Sequence, residues 1–342
     1  MPAPSPFLPA TARQPHLIIA FAVCSADAWL PTMKTLPPAS TRKLGALLRG
    51  MKLVHATAPG ANDAHSLSPP HERAWALAQG LITAETPDGL IPWAAQDAVE
   101  HLQAEGNKAW AWVTPCHWAM GREHATLTDP AALSLREDES RALLAAMQPY
   151  FETDGITLHY LRPERWLAEG EVFRTLPTAS LDRVLGRNVD GWLPNASIAR
   201  DIRRLQNEMQ MLLYTHPIND QRARRRQLPV NSFWLSGTGA LRASSEPSAS
   251  FEISLPRKLA QALFNDDWAA YAQAWAAIDA GEVAGLLARQ RAGESVRLTL
   301  CGERASETYA SSRPGLLAKT TNLFTSLGVL SSKPIYNGRE QL

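Results

Sequence analysis

Leu17 to Cys24 is an unbroken apolar run rich in β-branched and aromatic residues, the pattern of a strand buried on both faces. From Ser40 to Met51, Leu44, Leu47, Leu48 and Met51 share one helical face, with Ser40 or Thr41 as cap. Pro70 opens a helix through Leu81, and Ala94 to Glu105 reads as another, stopped by Gly106-Asn107. Asp138–Phe151 is helical. The clearest helix is Ile198–Tyr214, where Ile198, Ile202, Leu205, Met209 and Leu212/Leu213 recur at helical spacing. Strands are expected over Ala109–Thr114, Ile156–Leu161, Val230–Leu235 and Val296–Cys301, the third entering a turn at Gly237-Thr238-Gly239. Asp266–Ile278 and Glu282–Arg291 read as a helical hairpin. Interleaved strands and helices predict an α/β fold, a layered sheet with helices on both faces. No internal repeat is visible.

These elements set the domain expectation. Residues 1–16, with five prolines, read as a flexible N-terminal arm, 17–310 as the α/β domain with an inserted subdomain around 110–240, and 311–342 as a C-terminal arm. Residues 57–70 read as a long loop. The 17–24 run also imitates a signal peptide, with Arg13 before it and Ala26-Asp27-Ala28 after it. Its shortness and its β-branched content favour the strand, and a cytoplasmic protein. No run reaches the ~18 apolar residues of a membrane span, so no membrane partner is expected.

Composition narrows the field further. Of 342 residues 45% are hydrophobic, with 34 basic against 33 acidic side chains and a net charge of +1. That balance gives nucleic acid no electrostatic footing. Three scattered cysteines exclude a Cys-rich zinc site or a disulfide framework. Of eleven Trp, seven precede residue 170, which suits a dense core or an aromatic-lined pocket.

Three segments carry candidate chemistry. In Thr114–His124, following a strand, His117, Arg122 and His124 can contact an anion or share a metal, or be satisfied core groups. In Leu181–Asp190, Arg183 and Arg187 flank Gly186 as a bidentate pair for phosphate or carboxylate, unless Asp182 and Asp190 neutralise them. The third joins His216-Pro217-Ile218-Asn219 and Arg222 to Pro229-Val230-Asn231. The run Arg222, Arg224, Arg225, Arg226 reads as a solvated face, lacking the interleaved aromatics of a nucleic-acid site. No Gly-x-Ser-x-Gly elbow is present. Cys24 or Ser25 can be presented after the first strand, although such residues are more commonly just buried there.

The stretch from Glu208 through His216-Pro217-Ile218-Asn219, Arg222 and Leu228–Gly239 resembles the archaeal-type cofactor-independent phosphoglycerate mutases, with Asp182-Arg183…Gly186-Arg187 loosely similar to another element of that family. The resemblance implies an alkaline-phosphatase-like core and a phosphorylated small molecule as ligand. On that reading Arg183, Arg187, His216, Asn219, Arg222 and Asn231 hold the substrate, and an active enzyme would draw its acid/base, His117 or His124, from the first segment. The family binds two metal ions through Asp and His and attacks phosphate with Ser. This chain has Cys24-Ser25-Ala26-Asp27 where the family has Asp-Gly-x-x-Asp, Gly302-Glu303-Arg304 where it has Asp-His, and no nucleophile segment. No cofactor is therefore expected, since the divalent-metal ligands are missing. The expectation is a phosphoglycerate-mutase-like protein, an isomerase or phosphotransferase if active. The alternative is a catalytically degenerate, metal-free binding or regulatory protein acting through protein contacts, as a homodimer formed by the aromatic surface and the C-terminal arm.

Overall fold

The computed structural model describes residues 13–57, 65–194, 199–242 and 251–311. The expected arms lie outside the described residues up to 12 and from 312 onward, as does 58–64 of the long loop. The chain divides into two compact units, one made of Met1–Thr57 with Ser248–Leu342 and the other of Ala58–Pro247.

In the first unit β1 (Gln14–Ile19) leads through α1 (Trp29–Thr35) and α2 (Arg42–Arg49) to β2 (Lys52–Ala56). The second unit begins with α3 (Pro70–Ala78), α4 (Trp93–Leu102), β3 (Ala109–Cys116) and the short hairpin of β4 (Trp118–Met120) with β5 (Ala125–Leu127). It continues with α5 (Glu137–Thr153), β6 (Thr157–Arg162), β7 (Arg165–Glu169) and α6 (Leu181–Val184). It closes with α7 (Arg200–Tyr214), α8 (Pro217–Arg224) and β8 (Ser232–Ala240). The first unit resumes with β9 (Phe251–Ser254), α9 (Lys258–Phe264), α10 (Trp268–Ile278), α11 (Ala284–Arg291), β10 (Arg297–Cys301) and β11 (Ser306–Ala310). The fold is mixed α/β. Among the described residues no helix is long and apolar enough to cross a membrane.

The first unit's sheet has the order β2-β11-β10-β1-β9. β1 runs parallel to both β10 and β9, whereas β10–β11 and β11–β2 are antiparallel. A strand with neighbours on both sides and covered faces needs a continuous apolar run, and β1 has one. It ends earlier than the run, however. Phe21 is left-handed at φ 53°, and Tyr271 Oη donates to its carbonyl at 2.7 Å, so 20–24 are buried but turn away. Leu17, Ile19, Leu298 and Leu300 pack against Leu44 and Leu47 of α2 and against Tyr271, Trp275 and Ile278.

The expected hairpin over 266–291 is not formed. Ile278, Asp279 and Val283 all keep right-handed helical angles, and a single π-turn at Asp279–Val283 joins α10 to α11. The buried Asp279 explains the irregularity: its carboxylate accepts from the N–H groups of Lys43 (3.2 Å) and Leu44 (2.7 Å), capping α2 from a distant helix.

The second unit is built on an antiparallel sheet in the order β6-β7-β3-β8. Helices lie on both of its faces. Val113, Phe233 and Leu235 meet Leu143, Met147 and Phe151 of α5 and Leu205 and Met209 of α7. On the other face Trp110 packs on Ala94, Ala95 and Ala98 of α4. Trp110, Trp166 and Trp234 are among the largest fully buried side chains, so the tryptophan bias serves the core. β8 does not stop before Gly237-Thr238-Gly239 but passes through it. The pairing with β3 slips between Trp110 and Trp112, and Gly237 takes φ 64°, where an added Cβ would stand 2.8 Å from the Trp112 ring.

Candidate functional site

Ligands in open α/β sheets collect at the carboxyl ends of parallel strands. β3 belongs to an antiparallel sheet, so that rule lends nothing to the loop after it. It applies to β1 and β10, whose ends bring Ser25 to Glu303. The Ser25 backbone N–H donates to Glu303 Oε2 at 2.9 Å, and its hydroxyl donates to the same oxygen. Burial pushes the neighbouring Cys24 thiol up to about 12, Glu303 adding to the effect and a backbone hydrogen bond at Ala26 opposing it. Cys24 therefore stays protonated and inert. The donors here are the Glu303 carboxylate already engaged by Ser25, the exposed Asp27 and a neutral thiol, with the permanent cation Arg304 next in sequence, and among the described residues no three of them gather as metal ligands. They do not fit the two-metal centre of the mutases, and no step through metal ions follows from them. Cys116 and Cys301 are buried too, their thiols raised by burial.

In the second unit the three sequence segments meet, largely through bonds aimed at backbone. Asn231 clamps Trp118, accepting from its N–H at 2.7 Å and donating to its carbonyl at 2.9 Å. His117 Nδ1 lies 2.9 Å from the Pro229 carbonyl. Gly186 N–H donates to Leu127 O at 2.9 Å, and Thr126 bridges Asn188, which sets the Arg187 loop beside β5. His124 is exposed at the start of that strand, and Arg187 is exposed as well.

His216, Asn219 and Arg222 face inward tasks. The His216 ring accepts from Ile218 N–H at 3.3 Å as the cap of α8, and burial lowers its pKa. Asn219 donates to the carbonyls of Leu213 (2.7 Å) and Val230 (2.8 Å) and accepts from Val230 N–H at 2.9 Å. Arg222 is 0% exposed. Its guanidinium donates to the carbonyls of Leu228 (2.8 Å) and Leu133 and to Glu139 Oε2 at 2.8 Å. Arg225 takes the other Glu139 oxygen at 2.8 Å. Two of the run of arginines read as a solvated face are thus committed to one buried carboxylate, while Arg224 and Arg226 are exposed.

Arg183 sits differently. It is 3% exposed, and its Nη2 donates to the Ser66 hydroxyl and approaches the Ser68 carbonyl at 3.4 Å. The residue before it, Asp182, pairs with a histidine. Asp182 Oδ2 lies 2.9 Å from Nε2 of the fully buried His71. Beside them the Ser180 hydroxyl donates to Glu72 Oε1 at 2.5 Å and accepts from Asp182 N–H at 3.2 Å. Pro70 starts α3 and so carries His71 and Glu72 on its first turn. Ser180 caps α6 and so carries Asp182 and Arg183. A guanidinium, serine hydroxyls, an imidazole–carboxylate pair and a second carboxylate converge where two helix starts meet. A carboxylate-held imidazole is a fixed acid/base group. A ligand atom each from His71, Glu72 and Asp182 also lies within 4.8 Å of the others, a spacing a cation can use.

His71 and Glu72 were absent from the sequence candidates. The available signal was Pro69-Pro70-His71-Glu72, a helix start with two polar titratable groups in its first turn. Nothing local tied it to Asp182, 111 positions away.

No protein-family model and no curated protein matches the chain. Among solved structures, it is similar to the PH0037 protein from Pyrococcus horikoshii, with TM-score 0.45 and 13% identity over 88% of this chain and 87% of that one. It is also similar to a cofactor-independent phosphoglycerate mutase from Thermoplasma acidophilum, with TM-score 0.33 and 12% identity over 89% of this chain and 92% of that one. At these scores neither likeness assigns an activity.

Proposed function

We propose that the chain binds a phosphorylated small molecule at the second unit's polar cluster, as a phosphoglycerate-mutase-like protein that works without the two-metal chemistry of those enzymes. The observation that carries this reading is the convergence of Arg183 with the Ser66 hydroxyl beside the His71–Asp182 pair. Guanidinium and hydroxyl donors match the oxygens of a phosphate or carboxylate, and Arg187, exposed one turn along the same loop, supplies a second fork. His71 held by Asp182 is the group positioned to move a proton. His117 and His124 lie on the neighbouring segment, and Asn219, Arg222 and Asn231 hold the framework through internal bonds.

The test is thermal unfolding of the chain with glycerate 2- and 3-phosphate, with and without a chelator. Stabilisation that persists in chelator supports metal-free binding. Stabilisation that needs Mn, Zn or Mg refutes the metal-free part, and no shift with either ester refutes the ligand class. The alternative, action through protein contacts, draws support from a separate feature of the first unit.

A further inference from the structure

The first unit's sheet ends at β2, which pairs with β11 alone among the described strands. All five of its residues are exposed, Leu53 to 52% and Val54 to 54%. A free edge offers a row of backbone N–H and C=O groups to another strand, and proteins usually blunt such edges. We propose that β2 pairs antiparallel with β2 of a second copy of this chain, joining two five-stranded sheets across a two-fold axis at Val54.

The register follows from charge and size. With Val54 opposite Val54 on the axis, Leu53 faces His55 of the second copy and Lys52 faces its Ala56. Residues directly opposite in neighbouring strands share a face of the sheet. Behind Ala56, on the same face, stands Glu307 of β11. Lys52 of one copy therefore looks across a single methyl group toward the Glu307 carboxylate of the other, which also accepts from the Tyr309 hydroxyl of its own chain, and symmetry makes the contact twice. Two strand spacings amount to roughly 9.6 Å, a span that a lysine stem and a glutamate side chain together cover. Pairing Lys52 with Lys52 instead would oppose like charges, which disfavours that register. Self-complementarity of one patch is what a two-fold dimer requires. A five-residue edge is a small interface, so the dimer forms in a concentration-dependent way.

Sedimentation equilibrium of the full chain from about 5 to about 300 µM tests this, a range suited to a weak interface. The expected result is a mass rising from one chain toward two for the native protein and staying at one chain for Val54→Lys. Thermal unfolding at low concentration verifies that the variant folds, since Val54 is exposed. A second variant, Val54→Cys, gives a covalent dimer on a non-reducing gel. Opposed antiparallel residues sit ~4.5–5.5 Å apart at Cα, within disulfide reach, and the native cysteines are buried. A single-chain mass throughout, or a dimer indifferent to Val54→Lys, overturns the proposal. So does strong protection, in a monomer, of the β2 amides that are not bonded to β11, because another part of the same chain would then cover the edge.

Discussion

Replacing Glu139 by Gln separates a structural role of Arg222 from a ligand-binding one. Glu139 is 3% exposed and accepts from Arg222 and Arg225 at 2.8 Å each and from Arg136 N–H at 3.3 Å. Arg222, 0% exposed, has no water to fall back on. Glutamine keeps the shape but removes the negative charge, leaving a buried guanidinium without its counter-ion. Breaking a buried pair from one side costs about 3–5 kcal/mol. With a urea slope of ~2 kcal/mol per molar for a unit of this size, the midpoint falls by about 2 M. Urea unfolding followed by tryptophan fluorescence reads the shift directly. Glu137→Gln is the internal control: its pair with Arg141 is 56% and 63% exposed, and losing it leaves the midpoint unchanged. A Glu139→Gln midpoint within about 0.5 M of the native one would refute the clamp and return Arg222 to the list of residues open to an anion.

Two further outcomes follow from buried groups elsewhere. His16 is held neutral, its pKa brought down to about 3 by burial and then by Arg297, while its Nε2 meets Thr299 Oγ1 at 2.8 Å. Below the unfolded value of 6.5 the unfolded chain binds the extra proton, so stability falls as pH drops from 6.5 toward 3. At pH 4.5 the loss is about 2–3 kcal/mol relative to a His16→Leu variant, measured as the difference between the two urea midpoints at each pH; parallel pH profiles would contradict it. Gly237→Ala forces a left-handed alanine into the Trp112 ring, which Asp97 anchors at 2.8 Å through Trp112 Nε1. It is expected to cost about 2–4 kcal/mol, checked in the same assay.

What the sequence made legible was local. The spacing of Ile202, Leu205, Met209 and Leu213 marks the buried face of α7, and all four are buried. The apolar run at residue 17 marks an interior strand because β1 has parallel neighbours on both sides. Features decided by distant partners were not legible. The gap between the helices read over 266–278 and 282–291 looked like a reversal, yet the helical path continues through a π-turn with Asp279 turned onto the N–H groups of α2. Gly237 and Gly239 looked like a turn, but a bulge against Trp112 explains them better. The site shows the same division. Arg183 was visible as a candidate from its motif, whereas its neighbours Ser66 and His71 come from another segment. Arg222 and Asn219 carried the strongest family resemblance, and their side chains are spent on Glu139, Leu133, Leu213 and Val230. Such residues hold a loop as firmly as they would hold a ligand, and a motif does not distinguish the two uses.

Calorimetric titration of glycerate 3-phosphate into the native chain and into Arg187→Ala asks whether the Arg183–Arg187 segment binds a phosphorylated small molecule, as proposed. Arg187 is exposed, and thermal unfolding of the variant checks that it folds. The expected result is a single site in the native chain and an affinity about 10- to 100-fold weaker in the variant, the worth of one charge-assisted fork. Equal affinities, or no binding heat from the native chain, would contradict it.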